Sequence, residues 1–238
     1  MHKNLYRNRR ALTTPIIVFI AVLVVLGAIA AAILLSGNLQ SRIIIGSQNL
    51  TTKTMDFTDF TNIAVGGGFK VEILRSSTYS VSITADNNTF DYIEVSKTDK
   101  TLNIGLRAGY SYQNVTLKTQ IKMPDLLGVT LSGGTRGTAT EFTSTHDFTV
   151  ELSGGSALEI EGSARDIQIE ASGGSRADLT DFPAHNATVN LSGGSQATVN
   201  LNGILDATLS GGSQLQYTGT PTMGDISLSG GSSISKKP

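Results

Sequence analysis

Apolar and polar residues alternate strictly on both sides of a glycine pair that recurs along the second half of the chain. Each pair lies in a Ser-Gly-Gly-Ser/Thr tetrad, and the six tetrads, 18 to 21 residues apart, begin at Ser132, Ser153, Ser172, Ser192, Ser210 and Ser229. A period of two is typical of a strand that buries one face. Each repeat therefore predicts a strand that enters the tetrad, a turn, and a strand that leaves it.

Equivalent positions of the repeats hold similar apolar residues. The position before each tetrad holds Leu131, Leu152, Ala171, Leu191, Leu209 and Leu228. Equivalent residues of stacked coils would lie about 4.8 Å apart and form continuous inward columns. A fixed period of this length is typical of a solenoid, so we predict an all-β fold, a β-solenoid with a thin apolar core.

The paired glycines are predicted to form tight corners, which require positive φ or a close approach of the next coil. The hydroxyl groups of the tetrads are predicted to lie on these corners and to hydrogen-bond along the stack. A flexible Gly/Ser linker is the alternative, but a linker has no reason to keep Val and Leu in phase with its glycines. The predicted structural turn residues are Gly133, Gly134, Gly154, Gly155, Gly173, Gly174, Gly193, Gly194, Gly211, Gly212, Gly230 and Gly231.

An uncharged segment near the N-terminus is long enough to cross a membrane. Its apolar part runs from Pro15 to Leu35, and about 20 apolar residues span a bilayer. The basic residues before it predict a cytoplasmic N-terminus: Lys3, Arg7, Arg9 and Arg10. A cleaved signal peptide is the alternative, because Ala28-Ile29-Ala30 has the small residues of a cleavage site, but the apolar run continues beyond it. Both interpretations predict export.

The predicted organisation has four parts. Residues 1–14 form a basic cytoplasmic N-terminus, 15–36 a transmembrane helix that serves as a signal anchor, 37–54 a juxtamembrane stalk, and 55–238 an all-β ectodomain with the six repeats from residue 132 onward. Before the repeats, alternating strands separated by turn residues continue from residue 55 to residue 123. We predict a single-pass protein of the cell membrane with an extracytoplasmic C-terminal domain.

Composition argues against several classes of function. The net charge of −1 gives no electrostatic footprint for nucleic acid, so nucleic acid is not a predicted partner. The chain has no Cys, which excludes disulfides and thiolate metal sites. A serine that recurs on every coil indicates a structural ladder rather than a nucleophile. We predict no catalytic residues, no cofactor, no metal and no enzymatic activity.

Acidic residues occupy the same outward position on neighbouring coils in three pairs: Glu151 with Glu170, Glu159 with Asp178, and Asp206 with Asp225. Carboxylates about 5 Å apart in water repel each other by less than about 1 kcal/mol, so solvated side chains tolerate the arrangement. The alternatives are a weak divalent-cation or sugar-binding face, or a carbohydrate-active enzyme such as a polysaccharide lyase or hydrolase. A lyase would add a basic residue nearby, and the candidates are scattered along the sequence: Arg136, Arg165 and Arg176.

Three stretches resemble the family named "putative auto-transporter adhesin, head GIN domain". They are Phe60-Thr-Asn-Ile-Ala-Val-Gly-Gly-Gly-Phe-Lys-Val-Glu-Ile-Leu74, Tyr79-Ser-Val-Ser-Ile-Thr-Ala-Asp-Asn87 and Met123-Pro-Asp-Leu-Leu-Gly-Val-Thr-Leu-Ser-Gly-Gly134. The resemblance covers roughly residues 57 to 235 and implies a right-handed parallel β-helix. Its motifs are structural, and it carries no catalytic residue over to this chain.

The expected function is therefore a non-catalytic adhesion, binding or scaffolding module of the cell envelope. The expected partners are the membrane, through the N-terminal helix, and an envelope polysaccharide or a protein. The sequence leaves homo-oligomer formation open.

Overall fold

The computed structural model describes residues 42–237, and these residues form an all-β fold, as predicted. The helical element among them is a short 3-10 helix, Asn87–Tyr92. Within the described range, no helix is long and apolar enough to span a bilayer. The predicted cytoplasmic N-terminus (1–14) and transmembrane helix (15–36) lie outside the described residues.

Two large sheets belong to one compact unit, Ile43–Ala108 with Tyr112–Pro238. The nine-stranded sheet contains, in spatial order, β20 (Thr222–Leu228), β18 (Ile204–Leu209), β16 (Asn186–Leu191), β14 (Asp166–Ala171), β12 (Phe148–Leu152), β10 (Gly128–Ser132), β3 (Asn62–Gly66), β7 (Thr101–Leu106) and β6 (Ile93–Thr98).

The ten-stranded sheet contains, in spatial order, β2 (Leu50–Met55), β5 (Ser80–Asp86), β9 (Leu117–Met123), β4 (Lys70–Arg75), β11 (Arg136–Thr143), β13 (Ala157–Ser163), β15 (Arg176–Ala184), β17 (Gln196–Leu201), β19 (Gln214–Gly219) and β21 (Ser233–Lys236). A separate two-stranded sheet pairs β1 (Arg42–Ile45) with β8 (Tyr110–Gln113). The described residues of the second compact unit are Arg42 and Gly109–Ser111.

From β10 onward the chain alternates between the two large sheets. Each even-numbered strand pairs in parallel with the next even-numbered strand, and each odd-numbered strand with the next odd-numbered one. Most of the predicted inward positions are buried in this region, including the column from Leu131 to Leu209, whereas Leu127 and Tyr217 are half-buried. The rings of Phe148 and Phe182, one from each sheet, pack with their centroids 5.1 Å apart. The apolar core therefore lies between the two sheets.

The last coil is an exception to this burial. β20 and β21 are the edge strands at one end of the two sheets. Because no other strand of residues 42–237 pairs with their outer edges, Ile226 and Leu228 are exposed although their equivalents in earlier repeats are buried. The inward position at the end of β21 holds Lys236, which is exposed to water.

The N-terminal strands depart from the parallel arrangement that the sequence predicts. β5 runs antiparallel to β2 and to β9, and β6 runs antiparallel to β7, so both large sheets are mixed. Only Asp99 and Lys100 separate β6 from β7, and a connection of two residues joins antiparallel strands but not parallel ones. Asp99 has a φ of 52°, as turns of this kind require.

The polar segment for which the sequence predicts a stalk (37–54) contributes β1 and most of β2. β2 pairs with β5 over Leu50–Met55, so the sheet begins earlier than residue 55. Both faces of this edge strand are exposed, and such a strand shows no apolar/polar alternation in the sequence. The carboxylate of the buried Asp86 accepts the backbone N–H of Gln48 (2.6 Å), in the loop before β2, and that of Thr116 (2.7 Å), directly before β9. Asp86 therefore holds both segments in place.

Each tetrad forms a corner that closes on itself. The hydroxyl group of the fourth residue donates to the carbonyl oxygen of the first residue at 2.7–2.8 Å in all six tetrads. The hydroxyls of the fourth residues therefore donate within their own corner, because the turn brings a carbonyl of the same repeat within reach. Along the stack, the Thr135 hydroxyl accepts the N–H of Gly68 (3.2 Å) and the Ser229 hydroxyl donates to the carbonyl of Leu209 (3.4 Å), so the predicted hydrogen bonding between corners holds for two tetrads. Between coils the backbone makes the connection, for example from the N–H of Ser153 to the carbonyl of Leu131 at 2.9 Å.

A corner without serine precedes the six tetrads. The segment 66–69, Gly-Gly-Gly-Phe, connects β3 to β4, and these strands pair in register with β10 and β11. Gly67 and Gly68 have φ angles of 95° and 83°, and a Cβ on Gly133 would lie 3.2 Å from the backbone nitrogen of Gly67. The stack of corners therefore begins one coil before the first serine tetrad.

The first glycine of each pair is enclosed, whereas the second is open. A Cβ on Gly193 would lie 3.0 Å from the backbone nitrogen of Gly173 in the preceding coil, whereas a Cβ on Gly194 would meet no atom within 4 Å. Both residues have positive φ, 62° and 77° respectively. Neighbouring corners thus contact each other backbone to backbone, without intervening side chains.

We expect Gly193→Ala to destabilise the protein more than Gly194→Ala. Both substitutions place a side chain in the left-handed region, at a cost of about 1–2 kcal/mol. Only the first adds a clash with the backbone of Gly173, which cannot move without displacing its coil. The urea-unfolding midpoints of the two purified variants measure the difference. Equal losses of stability would contradict a steric limit on the approach of neighbouring corners.

Candidate functional site

The strands of the two large sheets carry different charges. In the nine-stranded sheet, the strands from β10 to β20 contain five acidic residues and no Lys or Arg: Glu151, Asp166, Glu170, Asp206 and Asp225. The ten-stranded sheet contains both acidic and basic residues. The two outer surfaces therefore present different electrostatic environments to a ligand.

Glu151 and Glu170 lie in register on β12 and β14. Each carboxylate has its own donor: the Thr130 hydroxyl donates to Glu151 and the Gln168 amide donates to Glu170, both at 3.2 Å. Two carboxylates supply at most four oxygen ligands, fewer than the six to eight that Ca²⁺ takes. This pair alone therefore makes an incomplete cation site.

Glu159 and Asp178 lie in register on β13 and β15. The carboxylate of Asp178 accepts the hydroxyl (2.6 Å) and the backbone N–H (3.2 Å) of Thr180, and it lies 3.7 Å from the guanidinium of Arg176. Burial raises the pKa of Asp178, but the hydrogen bonds from Thr180 and the charges of Lys237 and Arg176 outweigh it, and the pKa falls below the usual 3.8. The carboxyl group of Asp178 is therefore ionised at neutral pH and is held in place by its hydrogen bonds to Thr180.

Asp206 and Asp225 are not in register. Gly224 and Asp225 of β20 together oppose Asp206 of β18, because the register shifts between Leu205 and Ala207, and such a bulge displaces the side chains that would otherwise be neighbours. The carboxylate of Asp206 accepts the backbone N–H of Asp225 at 2.7 Å. This carboxylate therefore helps to hold the edge strand.

The acidic pairs do not assemble into a larger cluster. Between residues 42 and 237, no group of three or more His, Asp or Glu side chains is placed to hold a metal ion. The cation- or sugar-binding face, which the sequence offers as an alternative interpretation of these pairs, stays a prediction.

Four basic residues form a column on the ten-stranded sheet, which we call the basic column. Lys118, Lys70, Arg136 and Arg176 occupy one register position on β9, β4, β11 and β15, with Ala157 of β13 between the two arginines. All four basic side chains are exposed. The column is the most regular arrangement of charge on the outer surface of the ten-stranded sheet.

Arg136 and Arg176 look scattered along the sequence, and the structure brings them together. The third candidate, Arg165, lies elsewhere and pairs with Asp147 at 2.8 Å. The repeat alignment contains a signal for the column, because both arginines directly follow a tetrad and Lys70 directly follows the glycine corner at 66–69. Lys118 has no such signal, because β9 follows no corner of this kind.

The fold defines an all-β repeat protein with stacked glycine corners and long polar outer surfaces. A model of the family "Putative auto-transporter adhesin, head GIN domain" matches residues 59–221. The chain belongs to this family, as its resemblance predicts. No curated protein sequence matches the chain.

Three solved structures have a similar fold. A putative adhesin from Bacteroides fragilis is 20% identical, with a TM-score of 0.66 over 82% of this chain and 100% of that chain. A putative adhesin from Parabacteroides merdae is 17% identical, with a TM-score of 0.53 over 83% and 100%. A putative lipid binding protein from Parabacteroides distasonis is 19% identical, with a TM-score of 0.53 over 83% and 100%. At these identities the likeness shows the fold alone.

Asp206 and Glu170 are expected to respond differently to substitution. Asp206→Ala removes the acceptor for the N–H of Asp225 and should cost about 1 kcal/mol. Asp206→Asn keeps an acceptor oxygen, and Glu170→Gln changes an outward side chain, so each should cost less than about 0.5 kcal/mol. Thermal unfolding of the three variants measures these effects. Wild-type stability of Asp206→Ala would show that its hydrogen bond does not hold β20.

The lowered pKa of Asp178 predicts a pH-dependent contribution to stability. A carboxyl group with a lowered folded-state pKa stabilises the protein above its unfolded-state pKa, and this stabilisation is lost as the pH falls through the folded-state value. Asp178→Asn should therefore be less stable than the wild type near about pH 7, and the difference should close below the usual pKa of 3.8. Urea midpoints at both pH values test this. A difference that does not change with pH would contradict the assignment.

Proposed function

We propose that the protein is a non-catalytic adhesion or binding module of the cell envelope. The observation that carries this proposal is the presence of in-register polar rows on the outer surfaces of the sheets. One such row runs across neighbouring strands through Thr149, Gln168, Thr188 and Asp206. A row that repeats a hydroxyl, amide or carboxylate at about 4.8 Å intervals suits an extended partner that makes many similar contacts.

Membership of the adhesin-named family supports the same proposal. The solved structures include two putative adhesins with the same fold. The proposed partners are an envelope polysaccharide or another envelope protein. Both can lie along a stack of coils, whose extended surfaces are used in this way by other repeat proteins.

We further propose that the repeat region is a right-handed parallel β-helix. The parallel pairing from β10 to β21, with consecutive strands in alternate sheets, supports coils of two strands and two turns. The handedness is the one that the family resemblance implies.

We also propose that an N-terminal helix at residues 15–36 anchors the protein in the cell membrane. The support is the apolar segment from Pro15 to Leu35, which follows a basic stretch in the sequence. The excess of basic residues on one side orients the helix with its N-terminus in the cytoplasm. The β-rich region would then lie outside, where envelope polymers are within reach.

A retention experiment tests the proposed function. The purified full-length protein in a neutral detergent is incubated with envelope fractions of the cells that produce it, beside a polysaccharide-degradation assay on the same material. We expect the protein to be retained on the envelope fraction without the appearance of new reducing or unsaturated ends. New ends that disappear in Glu159→Gln or Glu170→Gln would contradict a non-catalytic role.

A further inference from the structure

The basic column is poorly neutralised by the protein itself. Across residues 42–237, Lys118, Lys70 and Arg136 form no ion pair, and Arg176 lies 3.7 Å from Asp178. Strands in a sheet lie about 4.8 Å apart, so the column extends over about 19 Å. Like charges held in a row repel each other, and an anionic ligand that lies along the row removes this repulsion.

Two shallow depressions adjoin the basic column and share Lys70 and Thr138. The first has a volume of about 540 Å³, and its lining includes Lys118 and the hydroxyl-bearing residues Ser82 and Thr84. The second has a volume of about 640 Å³ and includes Arg136, Ala157 and Arg176. Because Ala157 is small, a gap remains between the two arginines. The two depressions make one groove along the basic column.

We propose that this groove binds an acidic polysaccharide. The anionic groups of the polymer lie along the basic column, and its sugar hydroxyls meet the hydroxyl groups of Ser82, Thr84 and Thr138. This inference rests on the proposed function and specifies the class of ligand and the surface that binds it.

A second row of charge on the same strands favours a narrow ligand. Glu72, Glu159 and Asp178 each stand two residues from the basic-column position of their strand, about 7 Å along it. These carboxylates line the same groove as the basic column. A single polysaccharide chain can run along the cations with its anionic groups turned away from the carboxylates. A flat anionic membrane or a nucleic-acid duplex would cover both rows and meet the acidic residues as well.

The lining of the groove also argues against single-stranded nucleic acid. Proteins that bind such strands stack the bases on aromatic side chains. The aromatic residue that lines this groove, Phe69, is buried in the core. Besides the basic column and the carboxylates of Glu72, Glu159 and Asp178, the polar lining consists of hydroxyl and amide groups, and these suit the hydroxyl groups of sugars.

Dextran sulfate, with uncharged dextran of equal length as the reference, provides the test on the full-length protein in neutral detergent. We expect the protein to bind dextran sulfate but not dextran, with an affinity that falls as salt is added. Lys70→Gln/Arg136→Gln should weaken binding by at least about tenfold. The control variant Arg107→Gln/Arg165→Gln removes the same charge from exposed ion pairs elsewhere, and it should weaken binding by less than about threefold.

Several outcomes would overturn the inference. The first is an equal loss of affinity in both double variants, which would assign the binding to net charge. The second is no binding of dextran sulfate at low salt, and the third is tighter binding to duplex DNA or to phosphatidylglycerol in mixed micelles with the same detergent. If Lys70→Gln/Arg136→Gln does not fold, Lys118→Gln/Arg176→Gln tests the same column.

Envelope retention separates this inference from the proposed function. If the wild type and the column variant are retained equally on envelope fractions, the inference fails and the proposed function stands. If the wild type is not retained at all, the proposed function fails. Retention of the wild type together with loss in the column variant supports both.

Discussion

The close approach of glycine backbones at the corners is the constraint on which the rest of the structure depends. The first glycine of each pair lies over the amide nitrogen of its equivalent in the preceding repeat. A Cβ on this glycine would lie only 2.9–3.2 Å from that nitrogen. Because no side chain separates the corners, the strands that leave them can pair at the ordinary spacing of a sheet. The register of both large sheets from β10 onward follows from this contact, since every strand starts or ends at a corner.

Register at the corners has consequences for both faces of each strand. On the inner face it stacks equivalent apolar residues into columns and closes a core between two sheets. On the outer face it places equivalent polar residues side by side, so a residue type that recurs after the tetrads becomes a row on the surface. Arg136 and Arg176 are 40 residues apart in sequence but occupy the same row. The surface chemistry that could bind a polymer is therefore a product of the same contact that builds the fold.

The repeats made the inner face of the strands predictable, because the burial of a position depends on the apolar/polar period of two and not on the local contacts of its side chain. The alternation around each tetrad correctly assigned the column from Leu131 to Leu209. Features that break the repeat could not be found in this way. The glycine corner at 66–69 lacks the serine that marks the others, and β2 has no apolar face to reveal it. The antiparallel pairing of β6 with β7 follows from the two-residue connection between them, which lies outside the repeats.

The outer surface was harder to predict, because local contacts decide it. The hydroxyl of the fourth tetrad residue turns towards a carbonyl of its own corner, and the extra residue in β20 separates Asp206 from Asp225. Three members of the basic column could be predicted from their position after a corner, since that position is always outward. The lack of an ion pair at Lys70 and Arg136 among residues 42–237 could not be predicted, because it depends on rotamers and on the residues of neighbouring strands.

Extending the basic column tests the central claim most directly. Gln196 is exposed and lies next to Arg176 in register, and Asn190 is an exposed outward residue of the nine-stranded sheet. The account predicts that Gln196→Lys tightens the binding of dextran sulfate and steepens its salt dependence, because it adds one cation to the row. Asn190→Lys, which adds the same charge to the other sheet outside its proposed polar row, should leave both unchanged. Equal gains in the two variants would contradict the account.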